Sequence, residues 1–369
     1  MKISYLHGIC VRNDAISNSI RDEMNWLIEA GHDVRLFAYA CDHDHLPFTK
    51  VNEVSEVAFD PHFQSSDLVV YHFGVFYPLF DTILVTPRHA RRVVVFHNIT
   101  PKEFIPAEHH ETIDKSFRQL ANICFADHVV CVSQTNLDVL RAAGIKAPAT
   151  VLPLALHSNA TLPASKPGAL DGVLRMAFLG RFVRSKGPDE LLRALDSVLT
   201  SHPARRIQLD MIGNLAFSYS TLLDELDVMI KALNKRYGER LSVAIHGNAA
   251  EDEKNRILRE ADLFVLPSYH EGFCVPILEA LASGCQVVSY DNSNIPAISG
   301  GLARLVPSGD VAALGHAMGE ALEQIGAPDW HAADGGYSHY AAAAGAWVDS
   351  FAPARAKRRF LSFVKNLVS

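Results

Sequence analysis

The chain has 369 residues, 49% of them apolar and 20% charged, with a net charge of −7. That length exceeds one ordinary core and predicts two domains. The composition excludes a disordered chain, and an acidic balance with no polybasic block inside the body argues against a nucleic-acid partner. Cys10, Cys41, Cys124, Cys131, Cys274 and Cys285 form no CxxC pair, and most lie in apolar runs. There a cysteine is a small buried hydrophobe, and a reduced cytosol is the expected setting. No apolar run reaches the roughly 20 residues needed to span a bilayer. Met1–His7 turns polar too soon for a leader.

Lys2–Leu6 reads as a strand, followed by the loop His7–Asp14 and a helix from Ala15 to Ala30. Ile16, Ile20, Met24, Leu27 and Ile28 recur at helical period, and Gly31 suits the position just past the helix end. Asp33–Ala38 reads as the next strand, and this βαβ opening predicts a parallel, doubly wound sheet. Ligands of such sheets sit at the carboxyl ends of the strands, which puts Gly8 and Asp14 at the mouth of a site. Asp42-His-Asp-His45 has a metal-like alternation, but with no second ligand group at a clear spacing it reads as a solvated loop. Val-rich runs at Asp67–His72, Arg92–His97 and His128–Ser133 read as covered parallel strands. His72 and His97 therefore fall at strand ends, and His97 opens the phrase His97-Asn-Ile-Thr-Pro101.

Prolines 148, 153, 163 and 167, with Ser158, Ser165 and Gly168, mark residues 147–172 as a connector. A second βα run begins at Leu174–Leu179 and continues Gly180-Arg181-Phe-Val-Arg184-Ser-Lys186-Gly187-Pro188 into a helix. Arg181 can hold phosphate oxygens bidentately, Lys186 adds a mobile charge, and the helix N-terminus adds its dipole. Gln208–Ile212 before Gly213, and Val243–His246 before Gly247 and Asn248, are further strand-to-loop switches. Both glycines are candidates for close backbone approach or for ordinary turns. Ala261–Pro267 reads as a buried strand, and Ser268-Tyr-His-Glu-Gly-Phe-Cys-Val-Pro-Ile-Leu-Glu279 as a strand-to-helix elbow with Pro276 at the first helical position. The amides of Gly272, Phe273, Cys274 and Val275 would then face an anion, flanked by the carboxylates of Glu271 and Glu279.

The pattern Glu271-Gly-Phe…Pro276-x-x-Glu279-Ala, followed by Gly284 and a strand Gln286–Tyr290, resembles the donor-site signature of retaining glycosyltransferases of family 4. Gly180-Arg-x-x-x-x-Lys186-Gly resembles the second marker of that family. The resemblance covers most of the chain and is strongest from Phe178 to Asp310. It implies the GT-B architecture, two Rossmann-like α/β domains of doubly wound parallel sheets facing across a cleft. Residues 1–160 would form the acceptor-side domain and 161–345 the donor domain, with a last helix of about 346–369 crossing back onto the first domain. The basic, amphipathic character of that helix also fits an anionic membrane surface, to which Arg88, Arg91 and Arg92 of the first domain could add. By resemblance, Glu279 grips the ribose, Glu271 orients the donor sugar, His97 faces the sugar ring, and Gly213, Gly247 and Asn248 border the nucleobase. Where the family carries a glycine-rich loop after the first strand, this chain keeps only Gly8. Where it often carries a glutamate after Pro296, this chain has Ala297.

These readings converge on transfer of a sugar from a nucleotide-sugar, with Arg181, Lys186 and the elbow amides stabilising the leaving diphosphate, so that no cofactor or divalent metal is required. His97-Asn-Ile-Thr-Pro101 resembles mannosyltransferases of bacterial surface-polysaccharide assembly. It implies GDP-mannose as donor and a glycan or lipid-linked glycan as acceptor, in lipopolysaccharide or exopolysaccharide synthesis. The expected location is cytoplasmic, with peripheral contact to the inner membrane surface left open. UDP-sugar transferases of the same fold and a nucleotide-sugar epimerase remain alternatives, as does a two-lobed sugar-binding protein. A pyridoxal-type phosphorylase lacks a clear Schiff-base lysine, and a Rossmann dehydrogenase lacks G-x-G-x-x-G after the first strand.

Overall fold

The structure is a computed structural model describing residues 1–12, 14–157, 162–166 and 172–368. Ser158, Pro167 and Gly168 of the connector lie outside the described residues. The chain divides into two compact units, Met1–Ala155 with Phe351–Ser369, and Leu156–Ser350.

The first unit is built on a parallel sheet of seven strands: β1 Lys2–Leu6, β2 Asp33–Ala38, β3 Phe48–Lys50, β4 Leu68–Phe73, β5 Arg91–Phe96, β6 His128–Cys131 and β7 Ala149–Val151. Their spatial order is β3-β2-β1-β4-β5-β6-β7. The Val-rich strands β4, β5 and β6 are almost wholly buried, as a sheet covered on both faces requires. Two strand ends differ from the sequence expectation by one residue. His72 falls inside β4, and His97 just past β5. β7 lies within the stretch read as a connector, where a three-residue strand between prolines carries almost no periodic signal.

The second unit repeats the plan with six strands: β8 Val173–Leu179, β9 Arg206–Gly213, β10 Leu241–Gly247, β11 Leu263–Leu266, β12 Gln286–Tyr290 and β13 Ala303–Val306. The order is β10-β9-β8-β11-β12-β13, again all parallel. In each sheet the order reverses beside the first strand. β1 and β4, and likewise β8 and β11, therefore send their following loops to opposite faces and leave a crevice at their carboxyl ends.

The tail is two helices rather than one. Gly336–Asp349 belongs to the second unit, and Pro353–Val368 to the first. The apolar face of Pro353–Val368, with Ala356, Phe360 and Val364 buried, lies on the first unit. There Phe360 meets Trp26 and Phe363 meets His128, and Lys357 pairs with Glu29.

Lys166 is 2% exposed, and sequence reading gave no hint of its burial. Its ammonium donates to the carbonyls of Arg259 (2.9 Å) and Ser283 (2.6 Å), at the ends of helices Glu251–Glu260 and Val275–Ala282. Helix C-termini expose unsatisfied carbonyls and a negative dipole end, so a cation there is stabilised twice. Burial lowers its pKa, which the neighbouring Cys285 and Asp262 partly offset. Lys166→Met keeps the stem and removes the three donors. It should destabilise the protein by roughly 2–3 kcal/mol, because the carbonyls stay buried without a partner. A urea or thermal denaturation series against the parent protein checks this.

Candidate active site

The second-unit crevice is assembled from the loops after β8 and β11. Tyr269 N donates to Ser185 O at 2.8 Å, and Ser268 Oγ to the same carbonyl at 3.2 Å, which joins the two loops. Gly187 has φ +61°, and a Cβ there would meet Pro267 O at 2.4 Å. The second glycine of the marker is therefore fixed by backbone conformation and by the approach of the elbow. The helix after it, Pro188–Ser201, carries Asp189 and Glu190 in its first turn. Glu190 accepts from Tyr269 (2.7 Å) and Tyr290 (2.5 Å), bracing the elbow from behind.

Lys186 Nζ lies 2.5 Å from Glu271 Oε1, and both side chains are largely buried. Arg181 is exposed, and its guanidinium makes no hydrogen bond or ion pair among the described residues. The helix of the elbow begins at Val275, one residue earlier than expected, so Pro276 takes the second position, where its missing N–H is equally harmless. Cys274 caps it at φ 75°, a left-handed conformation that sidechain-bearing residues adopt only at a cost. Burial pushes the Cys274 thiol well above its usual range, and the Glu271 charge adds to this. Gly272 and Phe273 complete the turn, with Phe273 O accepting from Asn294 Nδ2 at 2.8 Å.

Glu279 Oε1 is held by Lys254 at 2.5 Å, and Lys254 also meets Glu251 at 2.8 Å. Burial works against the Lys254 charge, but Glu279 and Glu251 outweigh it and hold its pKa above the usual value. Glu279 Oε2 has no hydrogen-bond partner among the described residues. Lys254 was invisible in the sequence, since it sits in the charged run Glu251–Lys254, which reads as a solvated helix face.

At the ends of β9 and β10, the glycines serve protein contacts. A Cβ on Gly213 would meet Gly180 O at 2.4 Å, and one on Gly247 would meet Leu215 Cδ1 at 2.3 Å. Asn248, at φ 54°, ties this corner together: its N–H donates to Gly213 O (2.9 Å) and its Oδ1 accepts from Leu215 N (3.0 Å). Beside it, His246 Nε2 lies 2.7 Å from Asp210 Oδ1, and Nδ1 lies 3.3 Å from Glu253 Oε1. Sequence reading missed this pair too.

The first-unit crevice, between the ends of β1 and β4, holds His7, His72 and His97. His7 Nδ1 lies 3.1 Å from the His72 carbonyl, His72 Nδ1 lies 2.9 Å from His97 Nε2, and His72 Nε2 lies 3.1 Å from Glu23 Oε2. Gly74 packs tightly here, since a Cβ would come within 3.2 Å of His97 Cβ and Asn98 O. Asn98 itself sits at φ 74°. Gly8 has only an ordinary 3.4 Å contact in prospect, so neither space nor φ demands glycine there. Asp14 caps the helix Ala15–Glu29, accepting from Ser17 N and Oγ. Among the described residues no group of three or more His, Cys, Asp or Glu is placed to hold a metal ion, the Asp42–His45 loop included.

Burial pushes His7 down to about 4, aided by His72, and pushes His97 well below its ordinary value for the same reason, with His72 and His7 adding to it. An unfolded chain binds protons at these sites from about pH 6.5 downward, whereas the folded one refuses them until far lower pH. Stability is therefore full above about pH 6.5 and falls as pH drops toward 4. Denaturation midpoints measured from about pH 7 to about pH 4.5 should show this fall, and His7→Gln should flatten it by up to roughly 3 kcal/mol.

Residues 174–324 match the family described as glycosyl transferases group 1. The chain is 31% identical over 135 residues to D-inositol 3-phosphate glycosyltransferase of Corynebacterium jeikeium, covering 36% of this chain and 31% of that protein. It is 31% identical over 195 residues to mannosylfructose-phosphate synthase of Agrobacterium fabrum, covering 50% and 40%. The matched stretches thus span well under half the length of these relatives. A solved glycosyltransferase from Rickettsia africae superimposes with a TM-score of 0.75 at 16% identity, covering 100% of this chain and 98% of that one. The fold is the GT-B fold, and the stretch 174–324 is similar to the group 1 glycosyltransferases.

Proposed function

We propose that this chain is a retaining glycosyltransferase that moves a hexose from a nucleotide-sugar to a hydroxyl of a glycan or lipid-linked glycan, without a divalent metal. Mannose from GDP-mannose is the favoured donor, in lipopolysaccharide or exopolysaccharide synthesis, and a UDP-sugar is the alternative. The observation that carries the reading is the second-unit crevice: an exposed Arg181, unpartnered among the described residues, on the same loop as the Lys186 of a buried Lys186–Glu271 pair, at the point where the strand order reverses.

Breaking the bond from the anomeric carbon to phosphate builds positive charge on the ring and negative charge on the departing diphosphate. Arg181, Lys186 and the amides of Gly272 to Val275 stabilise that leaving group. An arriving diphosphate competes with Glu271 for Lys186, which frees the Glu271 carboxylate to orient sugar hydroxyls. Glu279, steadied by Lys254, accepts from the ribose through Oε2. The leaving phosphate oxygen takes the proton of the acceptor hydroxyl as it attacks on the same face. Any contact with the inner membrane surface would be electrostatic, since the apolar face of Pro353–Val368 already covers the first unit.

A second reading of the acceptor comes from the relatives, whose names carry D-inositol 3-phosphate and mannosylfructose-phosphate. On that reading the acceptor is a small phosphorylated sugar or polyol.

Incubation with GDP-mannose and a panel of UDP-, GDP- and ADP-sugars, with EDTA present, should give thermal stabilisation and slow release of nucleoside diphosphate for one donor. Glu271→Gln should then lower turnover by about 100-fold or more while donor affinity changes only a few-fold, and Arg181→Ala should weaken both. Unchanged turnover in Glu271→Gln would remove Glu271 from the mechanism.

A further inference from the structure

The histidines of the first unit are linked in a chain whose proton positions the geometry dictates. Glu23, on the helix Ala15–Glu29, is 7% exposed. Its carboxylate accepts from Tyr5 Oη (3.2 Å) and Ser19 Oγ (2.9 Å) as well as facing His72 Nε2. Burial keeps the Tyr5 phenol protonated by raising its pKa well above the usual value, so Tyr5 is a donor. A carboxylate surrounded by donors requires His72 to carry its proton on Nε2. In the neutral form of that fully buried ring, the proton on Nε2 leaves only a lone pair at Nδ1. That lone pair lies 2.9 Å from His97 Nε2, which must therefore be the donor. His97 is left with a bare Nδ1, which has no hydrogen-bond partner among the described residues.

We propose that Glu23 and His72 are positioning residues that fix His97 as the Nε2–H tautomer, so that it presents Nδ1 as a hydrogen-bond acceptor to a hydroxyl of the bound sugar. This rests on the reading above that His97 touches the substrate. A ring held this way accepts from an O–H and cannot donate to a carbonyl or ether oxygen. The site then discriminates by polarity as well as by shape. Two neighbouring groups fit the same purpose. His7 must donate its Nδ1–H to the His72 carbonyl, which fixes its tautomer also. Asn98 Nδ2, next to His97 in the chain, is a buried donor with no partner among the described residues. A buried donor without a partner is costly and calls for an explanation, which a bound hydroxyl would supply. The chain also resists charging, because a proton arriving at His97 Nδ1 would create an imidazolium beside two other buried imidazoles.

The full chain labelled with 15N-histidine tests the tautomer directly. Two-bond proton–nitrogen spectra near neutral pH, with the His97 signals identified from His97→Asn, should show a protonated Nε2 and a bare Nδ1 in His97. Glu23→Gln, whose amide no longer demands a proton from His72, should broaden or mix that pattern. The same variant should lower the turnover number for GDP-mannose hydrolysis by about 10-fold or more while KM stays within about two-fold, the range seen when a supporting hydrogen bond is lost. The carboxamide of Asn falls near the Nδ1 position and that of Gln near Nε2. His97→Asn should therefore retain turnover within about 10-fold, and His97→Gln should lose about 100-fold. A protonated Nδ1 or an imidazolium at His97 overturns the relay, whatever the turnover. The stated tautomer together with unchanged turnover in both His97 variants overturns the role of His97 at the substrate, and the positioning role with it. Hydrolysis of another donor but not GDP-mannose moves the turnover assay to that donor, and the tautomer spectra decide the relay as before.

Discussion

The organising constraint is that a parallel strand cannot be followed directly by its neighbour. Each strand must hand the chain to a connection that leaves the sheet and returns, and that connection is right-handed. A sheet that grows first to one side of its opening strand and then to the other must split its loops between two faces. Here this happens twice, at β1/β4 and at β8/β11. Backbone groups and side chains at those two points have no sheet neighbour to satisfy them, so each point gathers polar residues into an apolar scaffold. In the first unit they are His7, His72 and His97. In the second they are Arg181, Lys186 and Glu271.

The surrounding scaffold holds these groups at fixed distances. Gly187 and Gly213 each occupy a place where a methyl group would strike backbone. Lys166 ties the ends of the two helices that precede and follow the elbow strand, and Glu190 braces the elbow through two tyrosines. Buried charges that are paired and hydrogen-bonded are costly to break and so resist deformation. The elbow can hold Cys274 in a left-handed conformation because the structure around it over-determines the turn.

Much of the fold was legible because its signals are local. Val-rich runs bounded by polar loops located β4, β5 and β6, and the spacing of glycine, arginine, lysine and glutamate located the second-unit crevice. What was not legible depends on partners far apart in the chain. Lys254 lies 25 residues from Glu279, and nothing in a charged helix face marks which lysine turns inward. His72 shows in the sequence only as a strand-end histidine, because its value lies in a contact with Glu23, 49 residues away. β7 hid among prolines, and the tail concealed its break at residues 350–352, where a Pro353 start is the sole local cue. Gly213 and Gly247 were correctly singled out as special, but their close approach is to the protein's own loops.

The two crevices differ in electrical character, and the difference follows from what surrounds each. The second-unit crevice keeps its charges as ion pairs with 15% or less of each side chain exposed at Lys186–Glu271 and Lys254–Glu279, and adds an exposed guanidinium that is unpartnered among the described residues. Such a site gains most from a polyanion, which replaces a carboxylate at one cation and engages another that was idle. Among the described residues, the contacts at the centre of the first-unit crevice involve imidazoles and a carboxylate and no Lys or Arg. Burial and the neighbouring imidazoles disfavour charge on His7 and His97, and the Glu23 carboxylate accepts from Tyr5 and Ser19 and faces His72 Nε2. A neutral crevice of oriented dipoles exerts little pull on phosphate but discriminates among hydroxyl groups, since a misplaced donor or acceptor in it stays buried and unsatisfied. A nucleotide-sugar has these two characters within one molecule, an anionic diphosphate and a neutral polyhydroxyl ring. Each crevice, taken by itself, has the character suited to one of these two chemistries.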